Sequence, residues 1–256
     1  MANPHLEVLI ISRSKGPSLT DMVSYIYGKT LHDSYNNSTC RHTRNDILFH
    51  HIFQPRGAPE DFYDPQCLCD KMEEAEKRRD ARIARHFICS LPNELPRHEL
   101  SRIVKEYVEK DFVACGLCAI AAIHEDRKEE DPSRNNPHAH IIVSTRTVGP
   151  EGFSEKKDRE HNHRKYIMIW REQWAAAQNR AYERNGLDIQ VSHESLEAQG
   201  KHDREPTIHL SRIDWQREQR SERTPAGDRK RTIRERNEKR KHQREIEREH
   251  ELELSR

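Results

Sequence analysis

Two histidines one residue apart, His138 and His140, lead into the apolar run Ile141-Ile142-Val143. In a strand, side chains at i and i+2 project from the same face, so this spacing places two imidazoles together. A third, His124, ends the apolar stretch CGLCAIAAIH over residues 115–124, and an antiparallel hairpin across residues 125 to 137 brings it alongside. Three neutral imidazoles on one face leave open positions on a single divalent cation. Such a set suits a divalent transition metal, or magnesium where a substrate adds oxygen ligands. With 17 histidines in the chain, a chance His-x-His on a surface strand is ordinary. The third histidine at the end of a neighbouring strand, and Asn136-Pro137 leading in, favour the metal site.

The helix predicted after the first strand, which could pack over the sheet face carrying the histidines, holds two phenols. Tyr25 and Tyr27 lie roughly 200° apart around one predicted helix, so only one can face the histidines. A phenol ionises near pH 10 and needs a base or a cation to act as a nucleophile at neutral pH. Other signals carry less. Cys115-Gly116-Leu117-Cys118 spells C-x-x-C, but it sits in an apolar strand, and its would-be partner Cys67-x-Cys69 has the wrong spacing for a zinc ribbon. Trp170 and Trp174, at i and i+4, read as core rather than as a base-stacking platform. Arg13, Lys15, Arg41, Arg44 and Lys165 are each read as solvated charges.

The elements that must position these residues follow from pattern. Leu6–Ser12 reads as a buried strand, and Ser18 as the N-cap of a helix to Tyr27 stopped by Gly28. Residues 29–46 are polar and aperiodic, a loop. Ile47–Phe53 is a second strand, Cys67–Arg85 a charged helix, Phe87–Leu91 a third strand, and Arg97–Ala114 a helix with apolar residues at helical spacing. Cys115–His124 and His138–Thr145 complete the strands, and Ile167–Asn185 forms a long helix. The fold class is α+β, with a mostly antiparallel central sheet and flanking helices.

Charged residues (35%) outnumber hydrophobic ones (33%), so the core cannot extend over the whole length. From Arg217 onward almost every residue is charged or polar, as in a solvated helix or frayed coil. The expected division is a domain over 1–212 and a charged helical or disordered extension over 213–256. Net charge is +1, which makes no globally basic nucleic-acid binder. The N-terminus lacks a basic segment followed by an apolar stretch, and no run approaches the roughly 18 apolar residues of a membrane span. The expectation is a cytoplasmic protein, bacterial or eukaryotic, with no membrane partner.

The histidine pattern resembles that of HUH endonucleases, and further stretches are similar to the MobA/MobL-type plasmid-mobilisation relaxases. Ile11-Ser12-Arg13-Ser14-Lys15-Gly16 resembles their first strand and turn. Glu73 through Arg82 resembles their charged helix, and Ser90-Leu91-Pro92-Asn93-Glu94-Leu95 the strand exit after it. Trp170-Arg171-Glu172-Gln173-Trp174 and Asn179-Arg180-Ala181 resemble the helix after the sheet. Residues 192–200 and 205–210 are similar to the closing segment. The likeness runs in order over residues 6 to 210.

The resemblance implies an enzyme that nicks one strand of plasmid DNA at an origin of transfer. In it Tyr25 becomes joined to the 5′ phosphate, and His124, His138 and His140 hold the metal, manganese or magnesium. Its DNA would be single-stranded or supercoiled, with accessory mobilisation proteins and a coupling protein as further partners. Relatives commonly carry glutamates at the positions of His86 and Ile88; His86 is expected to replace one, as a general base or a fourth ligand. The loop between His124 and His138 is longer than usual, and a stand-alone nicking domain is expected. Alternatives are a rolling-circle replication initiator or transposase of the same superfamily, and a non-catalytic origin-binding protein with a decayed relaxase fold.

Overall fold

The protein is described from a computed structural model, over residues 4–125, 135–208 and 210–254. It divides into two compact units, Met1–His193 and Glu194–Arg256.

In the first unit, β1 (Leu6–Ser12), β4 (Ile47–Phe53), β5 (Arg82–Ser90), β6 (Leu117–His124) and β7 (His138–Gly149) form a sheet in the order β1-β5-β7-β6-β4, with β8 (Gly152–Lys157) added to β7. Every pairing is antiparallel, as the fold class requires. Helices α1 (Leu19–Tyr27) and α2 (Pro65–Glu74) cover one face, and α3 (Arg97–Asp111) and α4 (Lys165–Arg184) the other. The central strands are therefore buried on both sides and read as continuous apolar runs. Alternation sorts their residues. Ala119, Ala121, Ile123, Ala139 and Ile141 join the α3–α4 core, while Cys118, Ile120, Ala122 and Ile142 join the α1–α2 core.

Trp170 and Trp174 are core, as expected, and the Trp174 indole donates to the carbonyl of Ser90 at 3.2 Å. Cys69 and Cys118 are buried hydrophobes in the α1–α2 core. At the mouth of the loop between β6 and β7, Arg97 pairs with the buried Glu125, whose Oε1 also accepts from Asn135 at 3.1 Å. The loop's tip lies outside the described residues.

The charged helix expected over Cys67–Arg85 is shorter. Asp64 caps it by accepting from the Cys67 amide at 2.8 Å, and it ends at Glu74. Arg13 reaches across from the turn after β1, donating to the carbonyls of Glu73 and Arg78, each at 2.8 Å, and to the Glu73 carboxylate. Both carbonyls also accept a backbone amide, from Glu76 at 3.0 Å and from Ala81 at 3.2 Å, so Arg13 adds a second donor to each and pins this turn, and the residues from Arg82 on form β5 between β1 and β7. Arg13 is thus a structural clamp, not a solvated charge. The expected loop over residues 29–46 contains a small hairpin of β2 (Leu31–Asp33) and β3 (Ser38–Cys40). Three-residue strands are too short to show a periodicity.

In the second unit, α5 (Arg212–Gln219) is capped by Ser211 and α6 (Pro225–Leu254) is a long charged helix. Glu205 receives Arg236 and Arg240, each at 3.0 Å, and exchanges backbone hydrogen bonds with the Asn237 amide. These contacts attach the segment around Glu205 to the C-terminal helix.

Candidate active site

The antiparallel register of β6 on β7 sets His124 directly opposite His138, with His140 two residues further along the same face. Ring centroids lie 5.7 Å apart for His124–His138, 4.8 Å for His124–His140 and 5.1 Å for His138–His140. One nitrogen from each ring lies within 4.8 Å of the others. Among the described residues this is the one group of three or more His, Cys, Asp or Glu side chains able to share an ion. The expected triad is brought together, on the face covered by α1.

The hydrogen bonds around each ring dictate which nitrogen is available. His124 Nε2 faces the carbonyl of Ile26 at 2.8 Å, so it carries the proton and leaves Nδ1 as the lone pair. His138 Nδ1 faces the carbonyl of Asn136 at 2.9 Å, freeing its Nε2. His140 Nδ1 lies 2.9 Å from His86 Nε2. Two atoms, His124 Nδ1 and His140 Nε2, are buried with no hydrogen-bond partner. Buried lone pairs without donors are costly in an apolar setting, and a divalent cation would satisfy both. Burial pushes the pKa of His124 down to about 4 and that of His140 to about 2; neighbouring histidines add to the second shift. His124 and His140 are therefore neutral, as ligands must be. The residues present therefore fit a three-histidine metal site whose outer partners are already in place.

His86, on β5, is buried and its pKa is pushed down to about 4 by burial. Its Nε2 is engaged with His140 Nδ1, and the two rings stack with centroids 5.1 Å apart.

Tyr25 reaches the triad from α1, its ring centroid 5.9 Å from that of His124 and 6.0 Å from that of His140. Tyr27 points elsewhere: its ring packs on His50 at 4.7 Å, and burial pushes its phenol pKa up. The helix stops at Gly28, whose left-handed backbone (φ 63°) suits glycine. A Cβ there would meet the Arg44 Cβ at 3.3 Å and the Ile47 Cδ1 at 3.0 Å, so a larger residue would be strained in backbone and would also push on Arg44 and Ile47.

Two neighbours of Tyr25 come from the stretch read as a loop. The Arg44 guanidinium lies 4.4 Å over the Tyr25 ring and is held by both carboxylate oxygens of Asp46. The reading of Arg44 as a solvated charge is thereby corrected. His42, with its ring 5.6 Å from Tyr25, pairs with Asp21 at 2.9 Å. His42 and Asp46 carry no periodicity that sequence reasoning could use. Asp21, at i−4 from Tyr25 on the same helix face, was the one usable signal.

The antiparallel sheet with flanking helices is the fold that the sequence resemblance implies. The chain belongs to the MobA/MobL family, whose model matches residues 17–220. It is 35% identical over 162 residues to the probable mobilization protein MobA of Bifidobacterium longum (strain NCC 2705), across 62% of this chain and 28% of that protein. It is 29% identical over 238 residues to the mobilization protein MobL of Acidithiobacillus ferridurans, across 82% of this chain and 62% of that protein. The chain thus spans 28% and 62% of the lengths of these two relatives. A solved structure described as "Molecular Basis of Vancomycin Resistance Transfer in Staphylococcus aureus" superposes with a TM-score of 0.66 at 26% identity, covering 76% of this chain and all of that one. Among the described residues no helix is long and apolar enough to cross a membrane.

Proposed function

We propose that the protein is a relaxase that nicks one strand of plasmid DNA at an origin of transfer for conjugative mobilisation. The observation that carries this reading is the placement of Tyr25 about one ring's width from two members of a three-histidine ligand set. Residues 1–212 would form the nicking domain and 213–256 a charged extension. The setting would be a bacterial cytoplasm, with accessory mobilisation proteins and a coupling protein as further partners.

In this reading Tyr25 Oη attacks the scissile phosphorus, the bond to the 3′ oxygen breaks, and the 5′ phosphate remains on the tyrosine. The phenolic proton leaves and one is delivered to the 3′ oxygen, so the ester's energy is retained and the strand can be resealed by reversal. His124, His138 and His140 would hold manganese or magnesium, which when bound neutralises charge on the phosphate's non-bridging oxygens. Arg44, fixed by Asp46, braces the Tyr25 ring and places a permanent cation beside the phenol. His86 receives the Nδ1 proton of His140 and so orients that ring. It is a positioning residue rather than the general base or fourth ligand expected from sequence.

A plasmid carrying the cognate origin tests this. Supercoiled DNA should become nicked only with Mn²⁺ or Mg²⁺, and the protein should remain covalently attached to a 5′ end. Tight origin binding without nicking would identify a decayed, non-catalytic relative instead.

A further inference from the structure

At the other end of β7 from His138 and His140 the structure holds a cavity of about 1200 Å³. It is lined where β5, β7, β8 and the segment after α2 meet, and eight Lys and Arg against four Asp and Glu surround it. In a chain whose net charge is only +1, this is a local concentration of positive charge.

The acids present are largely engaged. Glu76 takes both Arg146, at 2.9 Å, and Lys157, at 3.0 Å, and Asp80 takes Arg78 at 3.1 Å. Among the described residues, Arg82, Lys156 and Arg159 at the cavity have no carboxylate within ion-pair distance, and all three are exposed.

The deepest wall is Arg85, with a side chain only 3% exposed. Its guanidinium donates to neutral acceptors alone, Asn162 Oδ1 at 3.0 Å and the carbonyl of Ser144 at 3.3 Å. The nearest carboxylate, Asp158, stands off at 4.0 Å and is already bound by His161 at 2.5 Å. A buried guanidinium whose carboxylate partner stands at 4.0 Å, the limit of an ion pair, keeps part of its desolvation cost, which an anion in the cavity would offset.

We propose that this cavity is a second DNA-contact site, which takes backbone phosphates of the strand whose scissile phosphate lies at the histidines. The proposal rests on the relaxase reading above. The cavity exceeds the roughly 300–1,000 Å³ of small-ligand pockets, and its free cations are spread over β5, β8 and the turn that follows β8. That spread suits a chain of phosphates better than one small anion. His140 and Arg146 stand about 20 Å apart along β7 at ~3.3 Å per residue, and the strand between them is buried under helices on both faces, so only a DNA strand long enough to pass around that layer can occupy both sites.

The test compares the whole chain with a triple variant, Arg82→Gln/Lys156→Gln/Arg159→Gln, whose sites are exposed and so spare the fold. A charge-matched control, Arg102→Gln/Lys105→Gln/Lys110→Gln, changes α3 instead. Fluorescein-labelled oligo-dT of about 30 and about 6 nucleotides serves as the probe in anisotropy titrations over a range of salt. The cavity variant should lose tenfold or more in affinity for the long probe and none for the short one. Its log–log salt slope should be shallower by about 2, at ~0.7 per single-strand phosphate contact. Unchanged binding, or equal losses in the cavity and control variants, overturns the proposal. Displacement of the long probe by micromolar inorganic pyrophosphate also overturns it, in favour of a small-anion site. If the unmodified protein binds neither probe, the relaxase reading fails with it.

Discussion

The Nε2–H of His124 donates to the backbone carbonyl of Ile26 at 2.8 Å. Ile26 directly follows Tyr25 in the last turn of α1, where carbonyls have no partner within the helix. One bond therefore does two things. It protonates the nitrogen of His124 that faces away from the ligand set, and it anchors the helix that carries the tyrosine.

Tyr25→Phe should abolish both nicking and the covalent adduct, seen as a slow-migrating band with labelled oligonucleotide on a denaturing gel. Tyr27→Phe should keep the adduct, because Tyr27 packs on His50, away from the triad. An adduct retained in Tyr25→Phe and mapped by mass spectrometry to Tyr27 would reverse the assignment.

Chelation with EDTA should stop nicking, and Mn²⁺ should restore it. In calorimetry the unmodified protein should bind one Mn²⁺, and the His138→Ala/His140→Ala variant should show no binding. Single-strand affinity should change little, since it comes from phosphate and base contacts. Full Mn²⁺ binding by the double variant would remove the triad as the ligand set.

His86→Ala should weaken Mn²⁺ binding by about 10–100-fold, the usual cost of losing an outer hydrogen-bond partner of a ligand. His86→Glu supplies an anionic acceptor for the His140 Nδ1 proton and should recover most of that loss. A merely space-filling role predicts lower stability in both variants with metal affinity unmoved, so calorimetry paired with an unfolding curve separates the two.

Asp111, at the C-terminal end of α3, has its carboxyl pKa raised to about 6 by burial, partly countered by Lys110 and Arg180. The helix dipole also disfavours a negative charge at this end. The folded pKa lies above the unfolded value, so the folded state binds more protons between the two, and stability falls as pH rises from about 4 through 6. Asp111→Asn should remove that loss, gaining about 1 kcal/mol at pH 8 and nothing below pH 4; the figure is set under the full shift because the carboxyl is partly exposed. Equal urea midpoints for variant and parent at pH 8 would refute the assignment.

The three histidines are legible in the sequence because they lie in strands of period two with long apolar runs. His138, His140 and His124 declare their shared face through residues whose burial on the opposite face is just as regular. His42, Arg44 and Asp46 were not legible, because a short hairpin and an irregular segment bring them to Tyr25 and no pattern marks such a path. The end of α2 was misread for a related reason. The sequence over residues 75–85 favours a helix, and the override comes from Arg13, some sixty residues away, together with the sheet's need for β5. The role of His86 was half-read: its position near the triad was expected, but its bond to His140 depends on ring geometry that spacing does not encode.

On β6 and β7, histidines occupy one face and small or branched apolar residues the other. A slip of one residue in either strand would turn its histidines toward Trp170 and Trp174 and carry Ala121 or Ile141 to the tyrosine side. No ion could then be held, and imidazoles would sit without partners in an apolar layer. The sorting of faces thus works as a proofreader of folding: a chain that paired its central strands wrongly would fail to gather three imidazoles on one side, and a metal titration would expose the error.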